Sequence, residues 1–549
     1  MARVLALAFA CGAVASAGAG DAASTCKSLP PIGSTRTRPS VNGGSHLFIG
    51  GALTPWHGPV IEVTSPVYDE ATASRAAIGT LARMDDESSA RAAKAAAAAW
   101  DDGQGEWPRA SLRARATALR AYLDALVERR AEIVEVLTWE IAKTVADAEA
   151  EFDRTMVFAR EVLDRAVEGD APFKTWTTVG GVNAVVRRGP VGVSLLLAPF
   201  NYPINEMYAM MIPALVMGNP VIVKLPAIGA LAHILTIDAL RATLPDGVVN
   251  FVSGGGRETL PAVMRSGVVD LLGFIGGSKG ADALITQHPR PHRLRVFSQL
   301  EGNNLGVVFP DADLEATAAA IIKGALSYNG QRCTAIKLVV AHRSVADALV
   351  AKLAAGIDAM GRGAPWDANV SITPLPEPKK PAYLAELIAD ALDRGATIAN
   401  ARGGDTEGQL FHPALLYPVT AAMRVFGEEQ FGPVVPVAVY DDVSEVIDIV
   451  KHSWNGQQCA LFATDAAPTV PLVDALSSVV GRINVNMPCA RGPDVLPFSG
   501  RRSSAMGTMS TTAVLREFSV ETVVATPAGK EGERFGADLA SSSVFLDGL

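Results

Sequence analysis

Four short apolar runs between residues 191 and 277 constrain this chain more than any other feature. They read VGVSLLLA (191–198), PVIVK (220–224), VVNFVSG (248–254) and DLLGFIGG (270–277), with helical stretches between them. Apolar runs of this length that lack strict alternation are strands buried on both faces. Strands spaced by helices make βαβ units and a parallel sheet. The expected fold class is therefore α/β, and such a sheet binds its ligand at the carboxyl ends of its strands. A second αβ series runs from Leu305 to about Val485. Upstream, from Asp69 to about residue 170, Ala, Arg, Glu and Leu recur at helical spacing. Leu112, Leu119, Leu123 and Leu126 mark one stripe, so several long helices are expected there, broken near 103–108. The Pro-rich stretch 365–381 reads as a surface loop. The polar tail after Pro527 reads as loose.

Composition narrows the function classes. With 549 residues, 49% hydrophobic and 19% charged, the chain is too apolar for disorder and long enough for several domains. Its net charge of −9 gives no global basic footprint, so nucleic acid is not an expected partner. No apolar run beyond the N-terminus resembles a membrane span, and no membrane partner is expected. Five scattered cysteines fit neither a disulfide framework nor a zinc site, and eight histidines show no ligand spacing. No metal is expected. His288 and His292 read as surface residues, and Cys459 and Cys489 as core. Residues 1–20 have one early Arg, an apolar run and then small residues, the shape of a secretory leader. The following STRTRPS (34–40) carries Ser, Thr and Arg but no acid, as transit peptides do. Together they suggest a secretory or plastid address, the alternative being a plain apolar N-terminus on a cytoplasmic protein.

The segment SYNGQRCTAIK (327–337) holds the candidate nucleophile, Cys333. A nucleophilic thiol needs a lowered pKa, and the adjacent Arg332 offers a cation. Alone, such a cysteine is more often an inert buried thiol, and only its context argues otherwise.

That context resembles the aldehyde dehydrogenase superfamily from about Met84 to Thr526. APFNYP (198–203) is similar to the family's oxyanion segment, VIVKLP (221–226) to its cofactor-ribose strand and FIGGS (274–278) to its Rossmann-type loop. QLEGNN (299–304) stands in the general-base segment, GQRCTA (330–335) in the nucleophile segment and EEQFGPV (428–434) in the nicotinamide-ribose clamp. Each motif is weak alone, and the order of all six carries the resemblance. It implies that Cys333 attacks an aldehyde carbonyl while the Asn201 amide and the Cys333 N–H hold the oxyanion. It places Lys224, Gly276, Gly277, Ser278, Glu429 and Phe431 on the cofactor. Many NAD-preferring relatives carry a Glu three residues after the lysine. Here Ala227 stands there, which removes repulsion against a 2′-phosphate and favours NADP, with NAD still possible. Ala281 replaces a frequent last glycine of the loop.

Within the superfamily, APFNYP with Tyr202, EFDRT (151–155) and PCARGPDVLPFSG (488–500) resemble the non-phosphorylating glyceraldehyde-3-phosphate dehydrogenase branch. That resemblance implies a phosphorylated aldehyde as small-molecule substrate, its phosphate bound by Arg154, Tyr202, Arg332 and Arg491. Several guanidinium forks suit a phosphate dianion in a partly dry site. It also implies a homodimer or homotetramer joined through a strand-built arm.

One departure matters. Where the family writes Glu, this chain writes Gln299, and an amide can bond a water but cannot take its proton. Three readings stay open: Glu301 reaches the water instead, coenzyme A resolves the thioester, or the protein is a slow or retired enzyme that still binds ligand. The expected organisation is a targeting or loose segment (1–45), a Rossmann-like cofactor domain (46–298, with part of the arm near 170–188) and a second α/β catalytic domain (299–487). A return to the cofactor domain with the β-strand oligomerisation arm (488–527) and a tail (528–549) complete it.

Overall fold

The computed structural model describes residues 26–169 and 175–546. Five parallel strands form its first sheet, in the order Val249–Val252, Val221–Lys224, Ser194–Leu197, Leu271–Ile275, Arg295–Gln299, with the short Ala505–Met506 antiparallel at the edge. The first four are the runs expected from sequence, and every one of their residues is buried, while Arg295–Gln299 and the edge strand were not foreseen. Strand order reverses between Leu197 and Ile275, and the crevice outside such a reversal is where open α/β sheets take ligands. The chain emerging there carries Asn201, Gly276 and Gly277.

A second sheet has the order Thr397–Ile398, Ala414–Tyr417, Val434–Tyr440, Ile336–His342, Asn304–Val308, Gln458–Phe462, Arg482–Val485, parallel except at its first pair. Only the four residues 300–303 separate Gln299, last of the first sheet, from Asn304, which opens the second. The QLEGNN segment is thus the seam between the two sheets. A third sheet pairs Ser519–Pro527 with Val182–Pro190 and then Thr177–Val179, all antiparallel. Its strands fall at the arm expected near 170–188 and within 488–527. The part of that expectation on residues 170–174 lies outside the described residues.

Four expectations are corrected. The Ala-rich region does not begin helical: Val60–Asp69 and Ser74–Ala82 form an antiparallel hairpin, and the first long helix is Asp86–Trp100. Partner strands decide here over local propensity. The tail forms the helix Lys530–Ser542, seated on the arm through its glycines. A Cβ on Gly536 would stand 3.1 Å from the Trp176 ring, and one on Gly532 would strike the Pro527 carbonyl. The Pro-rich stretch is partly internal, since Thr373 and Leu375 are buried and Asn329 holds Thr373 by two hydrogen bonds. His288 is buried, its Nδ1 accepting the Arg290 N–H.

The leader reading falls on residues outside those described. From Lys27 onward the N-terminal segment is docked. Ser28–Leu29 pairs with Thr406–Glu407, and within 34–40 Arg38 reaches Asp69 at 2.8 Å. Among the described residues no helix is long and apolar enough to cross a membrane, and no cluster of three or more His, Cys, Asp or Glu could hold a metal.

Candidate active site

The loop of the candidate nucleophile is built by backbone conformation. Helix Leu314–Leu326 ends, and Tyr328, Asn329 and Gly330 then follow one another at φ of +49°, +57° and +69°. Non-glycine residues rarely adopt this region and do so where the surroundings hold them. Here the Tyr328 hydroxyl donates to the Ile141 carbonyl, Asn329 is clasped to Thr373, and a Cβ on Gly330 would strike Gly432. The turn delivers Cys333 to the seam. Asn304 Nδ2 donates to the Cys333 carbonyl at 2.7 Å, and a Cβ on Gly302 would sit 2.9 Å from that same oxygen.

Cys333 opens into a cavity of about 570 Å³. Asn201, Gln299, Glu301, Gly276, Gly277, Glu429, Phe431, Arg154, Tyr202, Arg332 and Arg491 all line it. Twelve of the fourteen residues expected from sequence, Cys333 included, therefore share one chamber. Ser278 is reached through Glu301. Lys224 is not among the lining residues. Its buried ammonium donates to the Leu225 carbonyl at 2.6 Å, and burial lowers its pKa to about 8.

The thiol is not activated in the way expected. Burial first, then the Glu206 and Glu429 carboxylates, push its pKa up to about 11. The Gln457 side chain and then the Lys337 cation oppose this, while the Arg332 guanidinium donates to the Gly324 carbonyl at 2.9 Å. Lys337 lies 3.5 Å from Glu429 and 4.9 Å from the Phe431 ring centre. Asn201 Nδ2 donates to the Gln331 carbonyl at 2.7 Å, which leaves its second N–H for an oxyanion.

The basic wall has acidic partners. Arg154 makes a two-pronged pair with Asp494 at 2.9 and 2.7 Å. Arg491 Nη1 meets both Glu206 oxygens at 3.0 Å and Asn205 Oδ1 at 3.1 Å, and its Nε lies 3.3 Å from Asp494. Burial opposes ionisation of Asp494, but the two guanidiniums hold its pKa below the ordinary value. Arg491 Nη2 and Arg332 Nε are buried without a hydrogen-bond partner. Behind the wall Lys143 pairs with Glu151, both fully buried, and the ammonium lies 3.3 Å from the Tyr202 ring centre. Glu151 Oε1 also accepts the N–H groups of Ile204 and Asn205, the first turn of helix Pro203–Val216.

At the general-base position Gln299 is 3% exposed, its Oε1 has no partner, and its Nε2 reaches the Gly507 carbonyl at 3.4 Å. Glu301 is not beside it in search of a water. Its carboxylate accepts the Ser278 N–H at 2.7 Å and the Ser278 hydroxyl at 2.5 Å.

The sequence reading gave no role to Glu206, Asp494, Lys337 or Gln457. Asp494 and Lys337 stand inside segments already singled out, but Arg154 lies 340 residues from Asp494 and Glu429 lies 92 from Lys337, contacts that spacing does not reveal.

Comparison with known proteins matches the fold and gives the family. Residues 59–524 match the family model described as Aldehyde dehydrogenase family. The chain is a member of the aldehyde dehydrogenase family. Among curated aldehyde dehydrogenase relatives, the NADP-dependent glyceraldehyde-3-phosphate dehydrogenase of Pisum sativum is 34% identical over 416 residues, covering 74% of this chain and 82% of the relative. The 3-sulfolactaldehyde dehydrogenase of Priestia aryabhattai is 27% identical over 405 residues, 73% of this chain and 83% of the relative. Among solved structures, NADP-dependent glyceraldehyde-3-phosphate dehydrogenase from Bacillus halodurans C-125, complexed with NADP, superposes with a TM-score of 0.80 at 32% identity, covering 88% of this chain and all of that one. As a family member the chain is an oxidoreductase acting on aldehydes.

Proposed function

We propose that this aldehyde dehydrogenase oxidises a small aldehyde with an anionic head, glyceraldehyde 3-phosphate foremost, to its carboxylate with NADP as acceptor. One observation carries the reading: Arg154, Tyr202, Arg332 and Arg491 line the same chamber as Cys333. Arg491 Nη2 and Arg332 Nε have no hydrogen-bond partner in the protein, so two guanidinium N–H groups remain to be satisfied there. The relatives named for glyceraldehyde 3-phosphate and for 3-sulfolactaldehyde, whose names carry a phosphate and a sulfo group, support the anionic class.

The residues suit the cofactor. Gly277 meets nothing within 4 Å of a built Cβ, so backbone there lies open to a ligand, and the helix Ser278–Ile285 presents its N-terminus beside it. Gly276, Gly277 and Ser278 would hold the dinucleotide phosphates, Lys224 the adenosine ribose or its 2′-phosphate, and Glu429 with Phe431 the nicotinamide end. Ala227 leaves room for the 2′-phosphate. When bound, the nicotinamide supplies the hydride acceptor.

Cys333 Sγ adds to the carbonyl carbon after losing its proton, which the raised pKa makes the first obstacle. The second Asn201 N–H and the Cys333 N–H receive the oxyanion, each such donor worth roughly 3–4 kcal/mol. Loss of hydride leaves a thioester on Cys333, and water cleaves it to carboxylate and thiol.

Gln299 supports a second reading, in which the thioester accumulates or passes to coenzyme A. Mixing enzyme, NADP and aldehyde separates them. Steady NADPH release fits hydrolysis. One equivalent followed by a stall fits acylation alone, and rescue by coenzyme A fits acyl transfer. For the anionic head, Arg491→Ala should raise KM for glyceraldehyde 3-phosphate about tenfold or more while sparing an unphosphorylated aldehyde. Equal losses on both would end the phosphate reading.

A further inference from the structure

The two oxygens of Glu301 sit on Ser278, one on its N–H and one on its hydroxyl, at 2.7 and 2.5 Å. Ser278 opens an eight-residue helix whose Gly277 neighbour faces open space. An anion therefore already occupies the place that, on the reading above, receives the dinucleotide phosphates, and it belongs to the chain itself. Two residues earlier, the buried Gln299 lines the same chamber, its side-chain oxygen without a partner, and offers no carboxylate. Glu301 lines that chamber together with Cys333.

We propose that Glu301 is a cofactor-gated proton acceptor. In the free protein it closes the phosphate seat at Ser278. Binding of NADP expels it, because two anions cannot share one N–H and one hydroxyl. The expelled carboxylate, on the short seam between the sheets, then takes over the role that Gln299 cannot perform. It accepts a proton from water, the water oxygen bonds to the thioester carbon, and the C–S bond breaks to return the Cys333 thiolate. The proposal rests on the cofactor reading above.

Glu301→Gln and Glu301→Gly test both halves. Calorimetric titration with NADP should show both variants binding at least about fivefold more tightly than the parent, since a charge-assisted competitor is gone. Amide exchange at Ser278 should be slow in the free parent, fast in free Glu301→Gly, and slow again in that variant with NADP. In single turnover with glyceraldehyde 3-phosphate, both variants should keep the NADPH burst and lose at least about tenfold in hydrolysis. Unchanged or weaker NADP binding, or undiminished hydrolysis, overturns the gate. If NADP binds neither parent nor variants, the cofactor reading itself falls and the gate with it. Equal binding to all three removes the gate alone.

Discussion

At the scale of single residues, the site sets an electrostatic problem for its proposed nucleophile. With its pKa near 11, the Cys333 thiol holds little thiolate at neutral pH, and alkylation by iodoacetamide should climb roughly tenfold per pH unit without levelling before about pH 11. A plateau near neutrality would contradict the burial and the two carboxylates that raise it. Glu206 is one of those carboxylates, and it also occupies Nη1 of Arg491. Glu206→Gln removes a negative charge and unmasks a positive one, and both changes favour thiolate. Its alkylation profile should move to lower pH, with a rate at pH 8 up about threefold. A shift the other way would show that Glu206 acts on the thiol by some other route. That Cys333, Asn201 and Gln299 share one chamber was legible because a reacting centre of the proposed kind demands certain residue types in fixed order along the chain. Glu206 was not: residue 206 meets residue 491 only after the chain has folded.

Among elements, the buried sheet strands were legible because burial on both faces forces apolar runs. The hairpin strand Ser74–Ala82 was not, since SRAAIGTLA has helical composition and takes its form from Val60–Asp69 beside it. The helix Pro203–Val216 shows what holds the chamber's wall. Its leading N–H groups end on Glu151, whose charge Lys143 balances in a region with no water access. Removing one member of such a pair strands the other's charge. Glu151→Ala should cost about 3–5 kcal/mol in chemical denaturation and lower the melting temperature accordingly. The same variant should loosen Asn201 and Tyr202, which precede the helix, so kcat should fall as well. A protein of unaltered stability would mean that Lys143 finds another partner or gives up its proton.

For the whole molecule, the arm presents exposed apolar side chains: Val179 is 72% exposed, Val523 61% and Val520 41%. Apolar strands left open to water are the usual ground for a partner chain. If copies of this chain join there, Val523→Asp should shift sedimentation toward the monomer while the far-ultraviolet spectrum stays the same. An unaltered assembly would move the interface elsewhere. The strands of the arm were foreseen, but the helix lying on them was not, because KEGERFGADLASS has glycines that weaken a helix in isolation. Those glycines are what let it lie so close.

The family match ends at residue 524, and the helix Lys530–Ser542 lies beyond it. By folding back onto Ser519–Pro527 and Val182–Pro190, this appendage takes up a share of the ribbon that would otherwise be free for a sibling. If copies of this chain meet through the arm, part of the contact is already made by residues 530–542 of each copy, so trimming that helix becomes a dial on how they meet.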